Sequence, residues 1–400
     1  MSPLAGQRVI DLTQNVAGPY CTQTLADLGA EVIKIERPGA GDDTRCWTPA
    51  MFEGMSATYA TLNRGKRSLA LDLDHAQGCE VLRRLIGRDD IVVHSLKPGS
   101  AERRGLGYDE LRAGRPGLIY CAISAFGNLG PLSRLPGYDP LIQAYAGIMS
   151  VNGHEGAEPA RVGVSMVDMG TGLWAALGIV AALARRKDTG TGARVDASLL
   201  ETGVAWMTNP IANYSVSRRL PRRMGSATPM LAPYEIFQAA DAPVFIACGN
   251  DRLFARLAAA LGRADLAEDV RFAENARRVA HRDLLHATLE QCTREWRAPE
   301  LVGRLRDAGV PVSPVHDIAQ LLADPQVDAL QLHHLLPLVS TTGTRADARA
   351  VGMPLRLDGE RAFAAAVPVA VGQDSEAVLA GAGYGHEDIQ RLVEQGVVEV

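Results

Sequence analysis

Between Arg8 and Ser124 the chain alternates short apolar, β-branched runs with stretches of helical spacing, and this alternation restricts the fold more than any other feature. "RVIDL" (Arg8 to Leu12) leads into a helical "GPYCTQTLADLGA" that stops near Gly29, and then into "EVIKIE" (Glu31 to Glu36). The pattern returns as "RSLALDL", a helix from Ala76 to Arg88, "DIVVHSL", a short helix near Tyr108 and "GLIYCAIS". Apolar runs separated by helices read as strands covered on both faces, so the spacing predicts a parallel sheet with helices on each side. Ligands of such sheets bind beyond the carboxyl ends of the strands. That directs attention to the segments after Leu12, Glu36, Leu96 and Ser124.

A chain of 400 residues exceeds the usual size of one compact unit. Ser198 to Ser217 is helical in pattern and uncharged apart from Glu201, and it gives way to the Arg- and Pro-rich "RRLPRRMGSATPMLAPYEIF". Beyond it come a strand-like "APVFIACG", amphipathic helices at Arg252 to Leu261, Arg282 to Trp296 and Pro299 to Ala308, and "GVPVSPVHDIAQLL". The predicted organisation is an α/β large domain from residues 1–200, a linker helix over 201–224, a smaller α+β domain over 225–325, and a return to the large domain over 326–400. In the last part "GMPLRL" reads as a strand and Glu387 to Gln395 as an amphipathic helix.

The formal charge of −5 argues against a nucleic-acid or anionic-membrane surface, so an anionic ligand needs a local cluster of cations. Six scattered cysteines without a C-x-x-C pair fit reduced thiols in the cytoplasm. "MSPLAGQRVIDLTQ" has neither the basic start nor the apolar run of a signal peptide. The longest apolar stretch, Leu173 to Ala184, ends at "RRKD" and is too short to span a bilayer, so it reads as a buried helix. His333, His334 and the other histidines lack ligand spacing, and no metal is expected.

Three segments carry candidate chemistry. The first strand-to-helix turn, "DLTQNVAGPY", holds only Gly18 where a dinucleotide site needs G-x-G-x-x-G, which disfavours a nicotinamide dehydrogenase. "KIERPGAGDDTR" and "HSLKPGSAERRG" place Lys34, Arg37 and Arg45, and Lys97, Arg103 and Arg104, in glycine-bearing loops at strand ends, a set able to clamp a phosphorylated ligand. In "RVGVSMVDMGTGLWAALGIV", Asp168 precedes a helix, where an aspartate commonly serves as the N-cap. The same place suits a nucleophile: the helix dipole favours the ionised carboxylate, Gly170 and Gly172 leave room for an acyl group, and free amides there stabilise an oxyanion.

Taken in order, "DLTQNVAGPYCTQTLADLGAEVIKIERPGAGDDTR", "LNRGKRSLALDL", "KPGSAERRGLGYDEL", "GYDPLIQAYAGIMS" and "VGVSMVDMGTGLWAALGIVAALARRKDTGTG" resemble the family III CoA-transferases, of the formyl-CoA and carnitine CoA-transferase type. The resemblance implies a Rossmann-like large domain made from both chain ends, a smaller α+β domain between them, and two subunits threaded into an interlocked homodimer. It implies that Asp168 attacks an acyl-CoA thioester to give a mixed anhydride and then an aspartyl-CoA thioester. CoA contacts carry over to Asn15, Val16, Ala17, Arg37, Leu71, Asp72, Leu73, Asp74, Ser95, Leu96, Lys97, Arg103 and Tyr138. His94, Ser95 and Leu96 stand where many relatives read Glu-Asn-Phe. Coenzyme A is expected as a substrate, with no tightly bound cofactor.

The glycine-rich lid of the formyl-CoA enzyme is absent; "RRMGSATP" lies in its place, and Arg222, Arg223 and Gly225 are the expected acid contacts. The wording of "PGAGDDTR" and "NRGKRSLALDL" is similar to the branch that uses succinyl-CoA and dicarboxylic acids such as glutarate, malate or mesaconate. Two alternatives share the scaffold. A 2-methylacyl-CoA racemase carries His where this chain has Tyr138, and tyrosine, with a reference pKa of about 10, is a poor acid or base. A non-catalytic acyl-CoA-binding protein would have little use for Asp168.

Overall fold

The computed structural model describes residues 2–339 and 343–400. The chain divides into two compact units: residues 1–148, 162–212 and 328–400 form the first, and 149–161 with 213–327 form the second. Strands of the first unit are, in chain order, β1 (Arg8–Leu12), β2 (Glu31–Glu36), the short pair β3 (Met51–Phe52) and β4 (Met55–Ser56), β5 (Lys66–Leu71), β6 (Ile91–His94), β7 (Ile119–Ser124) and β8 (Arg194–Ser198). The second unit contributes β9 (Tyr234–Gln238), β10 (Pro243–Ala247) and β11 (Val312–Pro314). The first unit then resumes with β12 (His333–Val339), β13 (Arg345–Val351) and β14 (Val398–Glu399).

The main sheet has the order β14-β5-β2-β1-β6-β7-β8, parallel throughout except for β14 against β5. Its central strands bury both faces, as the near-continuous apolar runs require: Val9 and Ile10, Val32 and Ile33, and Ile91 to Val93 are almost wholly enclosed. The chain builds β2 and β5 on one side of β1 and β6, β7 and β8 on the other. The order therefore reverses between β1 and β6, and that crevice is the switch point where ligands of doubly wound sheets bind. In the second unit an antiparallel β11-β10-β9 sheet packs with amphipathic helices around Phe237, Phe254, Phe272 and Leu289.

Several elements differ from the sequence expectation. Segment 149–161 joins the second unit, and 201–224 is no single linker helix: the chain forms Leu199–Trp206 and Thr208–Ser217, the latter crossing the boundary between units. "GMPLRL" is not a strand; Pro354 lacks a ladder donor, and His333–Val339 pairs antiparallel with Arg345–Val351 instead. The apolar stretch around Leu173 belongs to a 24-residue helix, Met166–Thr189, long and apolar enough by composition to cross a membrane. It is buried on one side only. Ala175, Ala176, Ile179 and Leu183 are enclosed, while Met169, Leu173, Trp174, Leu177 and Val180 are exposed.

A buried ionic network ties the carboxyl-end residues of β1 and β2 to the start of β5. Asp11 on β1 meets Lys66 on β5 at 3.0 Å, both side chains fully enclosed, and accepts the hydroxyls of Thr13 and Thr22 at 2.5 and 2.6 Å. Lys34 on β2 pairs with Asp42 at 2.8 Å and donates to the Thr13 carbonyl at 2.9 Å. Glu36 takes a two-pronged Arg45 and the hydroxyls of Tyr59 and Ser68. Burial alone would push the Asp11 carboxyl up, but Lys66, Lys34 and the two hydroxyls outweigh it and hold it below its ordinary range. Burial wins for Lys66, pushing its ammonium down to about 8.

Removing one partner of such a pair strands the other in a low dielectric, at a cost of about 3–5 kcal/mol. Lys66→Met therefore lowers the unfolding free energy by about that amount in urea titrations. The Asp11→Asn, Lys66→Met double variant recovers part of the loss, because no lone buried charge remains.

Candidate active site

The first turn after β1 is shaped by close approach. Asn15 adopts φ +66, and a Cβ on Gly18 would lie 2.2 Å from the Thr13 Cβ, so only glycine lets the Ala17–Asp27 helix start there. The Asn15 amide donates to Asp42, and the Gln14 amide to the Ser95 hydroxyl at 3.0 Å across the β1/β6 crevice. The turns after β1, β2, β5 and β6 thus line one edge of the sheet. They bring together the predicted ligand residues Asn15 to Ala17, Arg37, Asp72 to Asp74 and Ser95 to Lys97.

Their side chains are not equally available. Val16, Ala17 and Leu71 are buried as whole residues and offer a ligand little surface. Lys34 and Arg45, expected in the cationic clamp, are structural: both are locked in the network below the edge. Arg104 is likewise held by the Leu73 carbonyl, Ser100 and Asp74. Asp72 Oδ1 receives the amide of Asp74 at 2.8 Å. Arg37 is exposed beside Asp43. Lys97 and Arg103 are exposed and line a cavity of about 600 Å³ over β6, β7 and β8, together with Arg134, Tyr120 and Ser124. Arg134 had no sequence signal; it joins the cluster only through the fold. His94 opens the departing tripeptide. Burial pushes its imidazole down to about 4, so it is neutral, and Nδ1 accepts the Leu96 amide at 3.2 Å. Tyr138 is 60% exposed, a surface ring rather than a buried acid or base.

Asp168 lies in the first turn of the Met166–Thr189 helix. It does not cap that helix. The cap comes from Asp139, in the first turn of the Asp139–Tyr145 helix, whose Oδ2 accepts the amides of Val167 at 2.7 Å and Asp168 at 3.1 Å. Asp139 is 2% exposed, its Oδ1 receives the Gln143 amide group, and Gln143 in turn accepts the Val162 amide at 2.8 Å. The expectation of free amides for an oxyanion is therefore overturned, since Asp139 consumes two and the Met169 amide goes to the Ser165 carbonyl. Among the described residues no hydrogen-bond donor reaches the Asp168 carboxyl. Nor does the dipole keep it acidic: burial, then the negative charge of Asp139, push it up to about 7.

Gly170 and Gly172 have a different use from the one expected. A Cβ on Gly170 would come within 2.7 Å of the Trp206 ring, and one on Gly172 within 2.5 Å of the Ala17 carbonyl. Their open sides are filled by neighbouring helices, not left for an acyl group. The Gly172 contact also sets Asp168, one turn earlier, beside the start of the helix that follows β1. Thr171 adds a further tie, its hydroxyl donating to the Val167 carbonyl at 2.7 Å and lying within hydrogen-bond distance, 2.8 Å, of the Thr202 hydroxyl.

The predicted acid contacts fall in the second unit. Arg222 pairs with Glu155 at 3.1 Å, both exposed, and Arg223 donates to the carbonyls of His154 and Ala157. Gly225 has φ +62, and a Cβ there would lie 2.7 Å from the His154 ring. Both arginines are thus engaged by segment 149–161.

This is an α/β architecture whose ligand edge carries a desolvated, uncapped carboxylate in place of a glycine-rich dinucleotide loop. The chain belongs to CoA-transferase family III, whose model matches residues 4–375. It is 40% identical to succinate–glutarate CoA-transferase of Agrobacterium fabrum over 82% of this chain and 83% of that one. It is 34% identical to human succinyl-CoA:glutarate CoA-transferase over 100% of this chain and 90% of that one. Among solved structures, a CaiB/BaiF family protein from Brucella suis superposes with a TM-score of 0.84 at 38% identity, covering 95% of this chain and 99% of that one.

The raised Asp168 carboxyl has a sign that stability measurements can read. A folded-state value near 7 against an ordinary 3.8 favours the protonated form in the fold. That contribution is complete below about pH 4 and is lost as pH rises through 7. Asp168→Asn, neutral at every pH, is expected to raise Tm at pH 8 by about 2–4 °C for each kcal/mol relieved, and to leave it unchanged at pH 4. Gly172→Ala must displace backbone and lowers stability by about 1–3 kcal/mol, measured by thermal or urea unfolding.

Proposed function

We propose that this protein moves CoA from an acyl-CoA donor, succinyl-CoA, to a dicarboxylic acid such as glutarate, malate or mesaconate, with Asp168 as the nucleophile. The observation that carries the reading is the state of that carboxyl: desolvated, basic for an aspartate, and free of its own helix amides. Family membership and two relatives named for succinate or succinyl-CoA and glutarate support the donor and acceptor.

The cycle balances without any added oxidant, reductant or metal. An Asp168 oxygen attacks the thioester carbonyl of the donor, the C–S bond breaks, and a mixed anhydride and CoA thiolate result. The thiolate attacks the aspartyl carbonyl, expelling the donor acid as its carboxylate and leaving an aspartyl-CoA thioester. The acceptor carboxylate attacks that thioester to give a second anhydride and thiolate. Attack of the thiolate on the acceptor carbonyl then releases the new acyl-CoA and restores the Asp168 carboxylate. Both anhydrides are open to hydrolysis, so a site that excludes water suits them. Lys97 and Arg103, with Arg134 in the same cavity, are the exposed cations available to the phosphates of CoA at the strand ends.

The working form in this proposal is a cytoplasmic homodimer. The exposed stripe Met169, Leu173, Leu177 and Val180 on the Met166–Thr189 helix, with Val204, Trp206 and Ile211 nearby in the chain, is apolar surface of the kind that a second copy covers.

Asp168→Ala is expected to lose transfer from succinyl-CoA to glutarate by about 10³-fold or more. Hydroxylamine added during turnover should mark the wild-type peptide containing residue 168 as a hydroxamate, located by mass. Near-normal transfer by Asp168→Ala would refute the nucleophile. A Lys97→Ala, Arg103→Ala pair is expected to raise KM for the acyl-CoA by roughly tenfold with kcat little changed, the pattern of lost ground-state binding.

A further inference from the structure

We propose that Asp139 is a positioning residue for the Asp168 nucleophile: its carboxylate occupies the first-turn amides of the Met166–Thr189 helix, so that the neighbouring Asp168 carboxyl is left uncapped and beside a fixed negative charge. This rests on the reading of Asp168 as the nucleophile and adds to it a residue that supplies the nucleophile's state.

The geometry is unusual for a helix start. An aspartate in the first turn ordinarily gains from the dipole and from nearby amides, which lowers its basicity and its reactivity. Here those amides are spent on a carboxylate from another helix, 29 residues earlier in the chain, at 2.7 and 3.1 Å. Asp139 is itself almost fully buried and held on its other oxygen by Gln143, so its place is fixed by packing rather than by solvent. The Gln143 side chain continues the chain of bonds to the Val162 amide, which anchors the strand of backbone leading into Asp168.

The other charged or titratable groups on elements packed against this helix do not substitute for Asp139. The Ala17–Asp27 helix brings Tyr20, Cys21 and Asp27, the last paired with Arg64, and the thiols of Cys21 and of Cys121 on β7 are both pushed up by burial and so uncharged. Helix Leu199–Trp206 brings Glu201, bonded to the Ser198 hydroxyl at 2.6 Å. β8 brings Arg194 and Asp196, paired with each other, β7 brings Tyr120, bonded to the Leu106 carbonyl, and the Asp139–Tyr145 helix also carries an exposed Tyr145. Among the described residues, Asp139 is the one group besides burial that bears on the Asp168 carboxyl, which sits near 7.

The test is the pH profile of kcat/KM for succinyl-CoA with Asp139→Asn, run beside Gln143→Leu and Asp168→Ala. Asparagine is also a good N-cap and keeps an oxygen for the two amides, but it removes the charge. The expected result is an acid limb moved down by about one pH unit or more from its wild-type position near 7, with a lower plateau. Gln143→Leu removes a hydrogen bond but keeps the charge, so its limb stays at or above the wild-type position even where its Tm falls. Should Asp139→Asn and Gln143→Leu both lose rate and Tm with the limb unmoved, Asp139 is only a structural cap and the inference fails. Should Asp139→Asn fold too poorly to assay, the Gln143→Leu profile decides: a limb that drops overturns the inference, and one that holds or rises supports it. Activity retained by Asp168→Ala would instead overturn the nucleophile itself.

Discussion

The pairing of Asp11 with Lys66, extended through Lys34 to Asp42, is the constraint on which the ligand edge depends. Asp11 and Lys34 lie towards the carboxyl ends of β1 and β2 while Lys66 opens β5, and the charges also hold neighbouring backbone groups: Lys34 the Thr13 carbonyl, Lys66 the Pro19 carbonyl in the first turn of the following helix, Asp42 the amide of Thr44. A hydrophobic core of the same volume could hold the strands together. It would not hold those carbonyls and amides, and the turns after β1 and β2 would lose their registration with each other. The desolvation of four charged groups is the counterpart of an edge whose first turn, with Asn15 at φ +66, is held by side chains from β2 and its following loop.

On that edge the Met166–Thr189 helix is set down at close range, because Gly172 brings it against the Ala17 carbonyl. Close packing on one face and an acidic pair at the N-terminus pull in opposite directions. Asp139 lowers the free energy of the helix end by satisfying Val167 and Asp168 amides, while its charge beside the Asp168 carboxyl raises it. The structure resolves this by giving the amides to the residue that cannot reach a ligand, being buried, and leaving the less buried carboxyl with nothing to bind.

How far this was legible from the chain follows from the range of each interaction. β1, β2, β5, β6 and β7 of the main sheet are readable because a run such as "EVIKIE" carries its own signal, whereas the half-polar "RVDAS" of β8 and the two-residue β14 carry none, and Asp168 is readable because it lies in a recognisable motif. Asp139 stands beside Tyr138 in the "GYDPLIQAY" stretch, yet nothing local to it signals its role. Its partners are 28 and 29 residues away, and the local rule for a helix start named Asp168 as the cap. Lys34 was misplaced for a readable reason: within a strand covered on both faces there is no solvent side for it to reach. Gly170 and Gly172 were assigned to a ligand because a chain does not show which helix lies against a glycine. Arg134 reaches the cavity with Lys97 and Arg103 only after the segment following β7 has folded back over the sheet.

The half-exposed helix links these levels. Its buried face carries alanine, glycine and isoleucine against the sheet, and its open face carries Leu173, Trp174 and Leu177. Burial is the larger of the two influences that raise Asp168, and Asp168 stands at the end of this same helix. Charge from Asp139 is built into the subunit. Burial within the subunit acts on the same carboxyl, so one helix carries both the raised Asp168 and the open apolar stripe around Leu173.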